Sequence, residues 1–107
     1  LLRGGAAVNQ ASKDGASPLY VACSKDDVEV VKELLRGGAA VNQAQKDGYS
    51  PLHMASQQGH VEVVKELLKA GADPTLAADN GATALWGARH FGHTRIVQLL
   101  QDHGATA

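Results

Sequence analysis

Apolar residues in this chain fall into short helical stripes that return along its length. Val28, Val31, Leu34 and Leu35 form an i, i+3, i+6, i+7 series, and Val61, Val64, Leu67 and Leu68 repeat it. That spacing places one face of a helix against a core, and it predicts helices over about 28–36 and 61–69. Val30 and Val63 widen the two stripes, which predicts helices buried on two sides. Thr94, Val97, Leu100 and Gln101 occupy the same positions once more and predict a helix over about 94–102. Its outer face is more polar. Gln101, Asp102 and His103 are what a terminal capping helix requires, although Leu99 stands where Glu33 and Glu66 stood.

A shorter stripe precedes each of these. Leu19/Ala22, Leu52/Ala55 and Leu85/Ala88 are spaced i, i+3 and predict helices over about 18–25, 51–58 and 84–91. The alanines let neighbouring helices approach, and a larger residue there overpacks the stack. Ser17, Ser50 and Thr83 stand where an N-cap belongs, with hydroxyls to accept from orphan backbone N–H groups. Pro18 and Pro51 follow at the first helical position, where no N–H is needed; Ala84 takes that place in the last unit. Gly59–His60 and Gly92–His93 mark the break inside a pair, glycine serving a left-handed helix terminus. Asp26–Asp27 replaces that break in the first pair. Asp26 is expected in the left-handed region, and Asp27 as the cap of the helix that follows.

The whole arrangement has a fixed period. Asp47–Gly48–Tyr49–Ser50–Pro51–Leu52–His53–Met54–Ala55 follows Asp14–Gly15–Ala16–Ser17–Pro18–Leu19–Tyr20–Val21–Ala22 by 33 positions. It precedes Asn80–Gly81–Ala82–Thr83–Ala84–Leu85–Trp86–Gly87–Ala88 by the same 33. A period of about 20–50 residues marks a stacked repeat architecture. The segment Ser50–Ala55 and this period resemble the ankyrin repeat. The resemblance covers nearly the whole chain. It implies an all-α, helix-turn-helix solenoid with short hairpin-like loops: about three full repeats behind an N-terminal half repeat. Residues 1–11 are identical to 34–44, so they are expected to be the end of a truncated repeat. Repeats are then expected over 12–44 and 45–77, with a C-terminal capping repeat over 78–107 that closes the array.

Composition and charge act by exclusion. At 107 residues the chain is one domain, and its few aromatics, Tyr20, Tyr49, Trp86 and Phe91, leave a core of Leu, Val and Ala. A formal charge of −1 gives no electrostatic reason to expect nucleic acid or an anionic membrane. Lys32, Arg36, Lys65 and Lys69 are interleaved with Glu29, Glu33, Glu62 and Glu66 as solvated helical pairs. Cys23 is alone, so no intrachain disulfide forms, and a reducing compartment is favoured. No leader and no membrane-length apolar run appears. The expected location is cytoplasmic or nuclear, without secretion or membrane contact.

Candidate chemistry is sparse. His90 and His93 are spaced i, i+3, but His93 falls in the helix break, and His60 recurs at the same repeat position. Both facts favour structural histidines over metal ligands. In ankyrin repeats the histidine at His53 hydrogen-bonds backbone between units; Tyr20 and Trp86 replace it in the flanking units, which catalysis would not permit. Lys25, two residues on from Cys23, does not share its helix face, so no activated thiol is expected. Gly4–Gly5 and Gly37–Gly38 are loop glycines, and no Ser–His–Asp order or phosphate loop is present. No metal, cofactor or catalysis is expected.

Binding remains. The resemblance implies contact with another protein through a concave face of turn tips and first helices. The matching positions are Lys13, Asp14, Ala16, Ser24 and Lys25 in the first unit. In the second they are Lys46, Asp47, Tyr49, Gln57 and Gln58, and in the third Asp79, Asn80, Ala82, His90 and Phe91. Trp86 is a further anchor if it lies exposed, and Tyr49 is the first choice because the fold has no evident need of it. A monomer is expected, with self-association open to the uncapped N-terminal end. Two other readings stand beside this one: a spacer within a longer ankyrin array, and an engineered or consensus-like scaffold, suggested by the identity of 1–11 with 34–44.

Overall fold

The computed structural model describes residues 8–13 and 15–105. Six named helices follow one another in pairs: α1 Pro18–Ser24 with α2 Val28–Arg36, α3 Pro51–Gln58 with α4 Val61–Lys69, and α5 Ala84–His90 with α6 Thr94–Asp102. Every helix starts at the expected residue. The first and third of the shorter helices stop one residue sooner than expected, where Lys25 and Phe91 serve as C-caps. Among the described residues there is no strand; an isolated antiparallel bridge between Ala77 and Thr83 closes the third turn tip. None of these helices is long and apolar enough to cross a membrane.

The local chemistry of each start is the one read from the chain. Oγ of Ser17 accepts from the Tyr20 N–H at 3.1 Å, Ser50 Oγ from His53 at 3.3 Å, and Thr83 Oγ1 from Trp86 at 3.1 Å. Each such cap contributes about 0.5–2 kcal/mol. Gly59 and Gly92 take the left-handed conformation, with φ of 81° and 75°. Asp26 joins them at 56°, alone among described non-glycine residues, and Asp27 caps α2 through the Val30 N–H.

Packing places α1, α3 and α5 in one row and α2, α4 and α6 in a second. Neighbours in the first row touch more extensively than those in the second, in a stack of 38 × 25 × 21 Å. Small side chains make that approach possible. Ala22, Ala55 and Ala88 are buried beside Leu19, Leu52 and Leu85, and Val31, Val64, Leu34, Leu67 and Leu100 fill the space between the rows. Ile96, outside the stripe read for the last helix, is fully buried at the position equivalent to Val63.

One expectation is corrected. Val30 does not share the burial of Val63 and Ile96: it is 40% exposed where they are 0%. The helix row explains the difference. A second helix of the preceding pair covers α4 and α6 on that side, whereas none among the described residues covers α2. In α6, Thr94, Gln101 and Asp102 face solvent and Leu99 is half-buried, in keeping with a polar outer face.

Loops are tied across the units by a repeated bond. The Ala40 N–H donates to Asn9 Oδ1 at 2.8 Å, and one period later the Asp73 N–H donates to Asn42 Oδ1 at 2.9 Å. Thr75 stands at the next such position and turns instead to Asp73, whose carboxyl its N–H and hydroxyl hold below the usual range. Expectations for residues 1–7 and for Asp14 lie outside the described residues.

Candidate protein-binding face

The turn tips are built by short polar side chains that fold back on their own backbone. Asp47 Oδ1 accepts from the Tyr49 N–H at 3.1 Å, and one period on Asn80 Oδ1 accepts from the Ala82 N–H at 3.0 Å. Both are local turns of the kind Asp and Asn favour. Adjacent tips are joined where the Asp79 N–H donates to the Asp47 carbonyl at 3.0 Å. Gly48 allows this approach: a Cβ there would meet Asp79 Oδ1 at 2.8 Å and its backbone N at 2.9 Å.

Tyr49 emerges from this junction. Its phenol oxygen accepts from Asn80 Nδ2 at 3.3 Å, and its ring stands 5.3 Å from that of His53, tilted by 45°. The residue is half-buried and joined to both neighbours, which corrects the expectation that the fold has no need of it. His53 in turn is buried. Its Nδ1 accepts from the Ser50 N–H at 3.0 Å, which leaves the proton on Nε2 to donate to the Ala82 carbonyl at 3.0 Å. This bond crosses from the second unit to the third, as the resemblance implied. Burial lowers the His53 pKa, opposed by the Ala82 carbonyl.

Two surfaces result on the first-helix row. One is a groove of about 420 Å³ lined by Tyr20, Gln45, Asp47, Tyr49, Met54, Gln57, Asp79 and Asn80. The other is an aromatic strip at α5. Trp86 and His90 stack with centroids 4.8 Å apart and planes 8° from parallel, and His90 meets Phe91 edge-on at 4.8 Å. Trp86 is 52% exposed and Phe91 53%. Trp86 occupies the repeat position of buried Tyr20 and His53. The tip that covers His53 at Ala82 has no counterpart over Trp86 among the described residues.

Of the residues expected to bind, the groove gathers Asp47, Tyr49, Gln57, Asp79 and Asn80, and the strip gathers Trp86, His90 and Phe91. Lys13, Lys46 and Gln58 are exposed but line neither, and Gln58 Oε1 is engaged by His60 Nε2 at 3.0 Å. Lys25 borders a separate hollow of about 530 Å³ with Val21 and Val30 at the other end of the stack. Ala16 is buried, so its expected contact role is corrected: its methyl lies in the fold. Sequence reasoning missed Gln45, Met54 and the groove-lining role of Tyr20. Met54 carried a signal: it is an apolar residue off the Leu52/Ala55 stripe and therefore directed away from the core.

Cys23, His93 and His103 are engaged within the fold. Cys23 is fully buried, and burial pushes its thiol up to about 12, so it remains protonated and unreactive. His93 Nε2 stands 2.9 Å from the Gln57 carbonyl, His103 Nδ1 2.9 Å from that of Leu99, and His90 stacks on Trp86. The described residues contain no group of three His, Cys, Asp or Glu placed to hold a metal ion.

Comparison with known families gives two matches. A model of ankyrin repeats in three copies matches residues 1–78, and a single ankyrin-repeat model matches 80–107. No match was found among curated proteins. Paired helices, capped starts, glycine breaks and two family models that together span nearly the entire sequence agree: the chain belongs to the ankyrin-repeat family, whose members are generally protein–protein interaction modules and typically non-catalytic.

Proposed function

We propose that this chain binds another protein through its turn tips and first helices and performs no chemistry of its own. One observation carries the reading. Tyr49 stands half-buried at a groove on the first-helix row, hydrogen-bonded to Asn80 and beside the His53 ring, where a partner can cover it. Large aromatic side chains already ordered before binding are favoured anchors, because little entropy is lost when a partner covers them. The groove beside Tyr49 extends this surface with polar and aromatic groups. The module is read as a monomer of the cytoplasm or nucleus, with repeats over 12–44 and 45–77 and a capping repeat over 78–107.

Affinity capture with the whole chain, followed by binding measurements on Tyr49→Ala, Trp86→Ala and Phe91→Ala, tests the reading. At least one variant should weaken the captured partner by about tenfold or more, by more than any accompanying change in melting temperature accounts for. Equal affinity in all three would overturn it.

A further inference from the structure

We propose that the groove between Tyr49 and Asp79 receives an arginine side chain from the partner protein, an inference that rests on the first-helix row being the binding face. The groove has a side wall and a charged rim. Tyr49 is fixed from two directions, by Asn80 and by the His53 ring, and Met54 continues the non-polar surface. The bond from the Asp79 N–H to the Asp47 carbonyl brings two carboxylates to one rim. Both are exposed, and among the described residues no Lys or Arg lines the groove and no ion pair reaches it; Asp47 already accepts from the Tyr49 N–H and from Gln45 Nε2, each at 3.1 Å, so Asp79 is the carboxylate left for a guanidinium.

Charge complementarity decides the occupant. An acidic side chain is repelled, and an apolar one covers the carboxylates without pairing them, at a desolvation cost. A lysine ammonium meets the charge as a point but makes little use of the ring. A guanidinium does both: its flat face lies on the Tyr49 ring while its edge forks onto a carboxylate. Gln57 adds an amide at the same wall.

The test is titration of the isotope-labelled chain with N-acetyl-arginine amide, with the citrulline analogue of equal shape and no charge, and with N-acetyl-lysine amide, read by amide chemical shifts. Arginine should move Asp47, Tyr49, Asp79 and Asn80 together along one saturating curve, lysine should act more weakly, and citrulline should leave them in place. Asp79→Asn should weaken arginine about two- to fivefold, the range of an exposed ion pair, and added salt should do the same. Asp79 is exposed, and its melting temperature comparison separates lost binding from lost fold. Equal shifts with citrulline, or arginine shifts scattered over the surface, would overturn the inference. The two proposals fail separately. A partner lost in the Tyr49, Trp86 or Phe91 variants with no arginine response retains the binding face and removes the arginine. An arginine response with the partner unaffected by those variants removes the face.

Discussion

The ring of His93 lies against the bare α-carbon of Gly59, and its Nε2 stands 2.9 Å from the Gln57 carbonyl. A Cβ on Gly59 would meet the ring at 2.7 Å. Glycine is therefore needed twice at this break, for its left-handed backbone and for the space it leaves. His60 holds the same repeat position one unit earlier, but there it faces Asp26, which has the Cβ that Gly59 lacks. It turns instead to Gln58 and places Nδ1 3.7 Å from the Asp26 carboxylate. One residue changes how two units are latched.

Asp26→Gly should stabilise the chain. It removes a left-handed strain of about 1 kcal/mol and opens room for His60 to take the pose of His93. Gly59→Ala should do the reverse and cost more than about 1 kcal/mol, since both φ and the ring oppose the methyl. Denaturant midpoints read both changes. A lowered midpoint for Asp26→Gly would show that the exposed carboxylate matters more than the strain.

Acid should weaken the fold through His53. Its folded pKa is lowered by burial, so the neutral ring that bridges Ser50 and Ala82 is the form the fold holds. The unfolded chain takes the proton first. The contribution is thus full above about pH 6.5 and is lost as pH falls through the lower folded value. His53→Gln should flatten the dependence of unfolding free energy on pH as pH falls below about 6.5. An unchanged slope would assign the effect to other groups.

Ser56→Ala should raise the melting temperature. Ser56 is fully buried, and its hydroxyl has no hydrogen-bond partner. An unsatisfied buried polar group costs about 1–3 kcal/mol, and alanine removes it while giving up little volume. Scanning calorimetry decides the matter. A loss of stability would mean that the oxygen is satisfied in solution by water.

Ala55→Leu should be among the most damaging core changes. Ala55 is fully buried on α3, in the row where neighbouring helices approach most closely. Overpacking there costs about 1–3 kcal/mol, against about 0.5 for a surface change. Arg95→Leu, on the exposed side of α6, serves as the control, and equal melting temperatures for the two would show that the row can part.

The scaffold was legible because its signals are local. Caps, prolines, glycine breaks and stripes act within one or two turns of chain, and the 33-residue period wrote each of them more than once. Val30 shows where that logic ends. Its sequence context repeats that of Val63, but burial depends on the neighbouring unit, which no local pattern contains. The groove was half legible for the same reason. Asp47, Tyr49, Gln57, Asp79 and Asn80 were reached by register, while Gln45 and Met54 join it only through stacking. The loop bonds of Asn9 and Asn42 are a similar case: the identity recurs visibly, yet the partner lies in the next unit.

Tyr49 is held by Asn80, a residue of the following tip. On the proposed reading, recognition in this chain is therefore a property of junctions and not of modules. A unit duplicated or deleted whole would keep its helices, caps and core, yet its tip would acquire a new neighbour and a new wall. Recombination can lengthen such an array at little structural risk, but each new boundary has to evolve its own ligand.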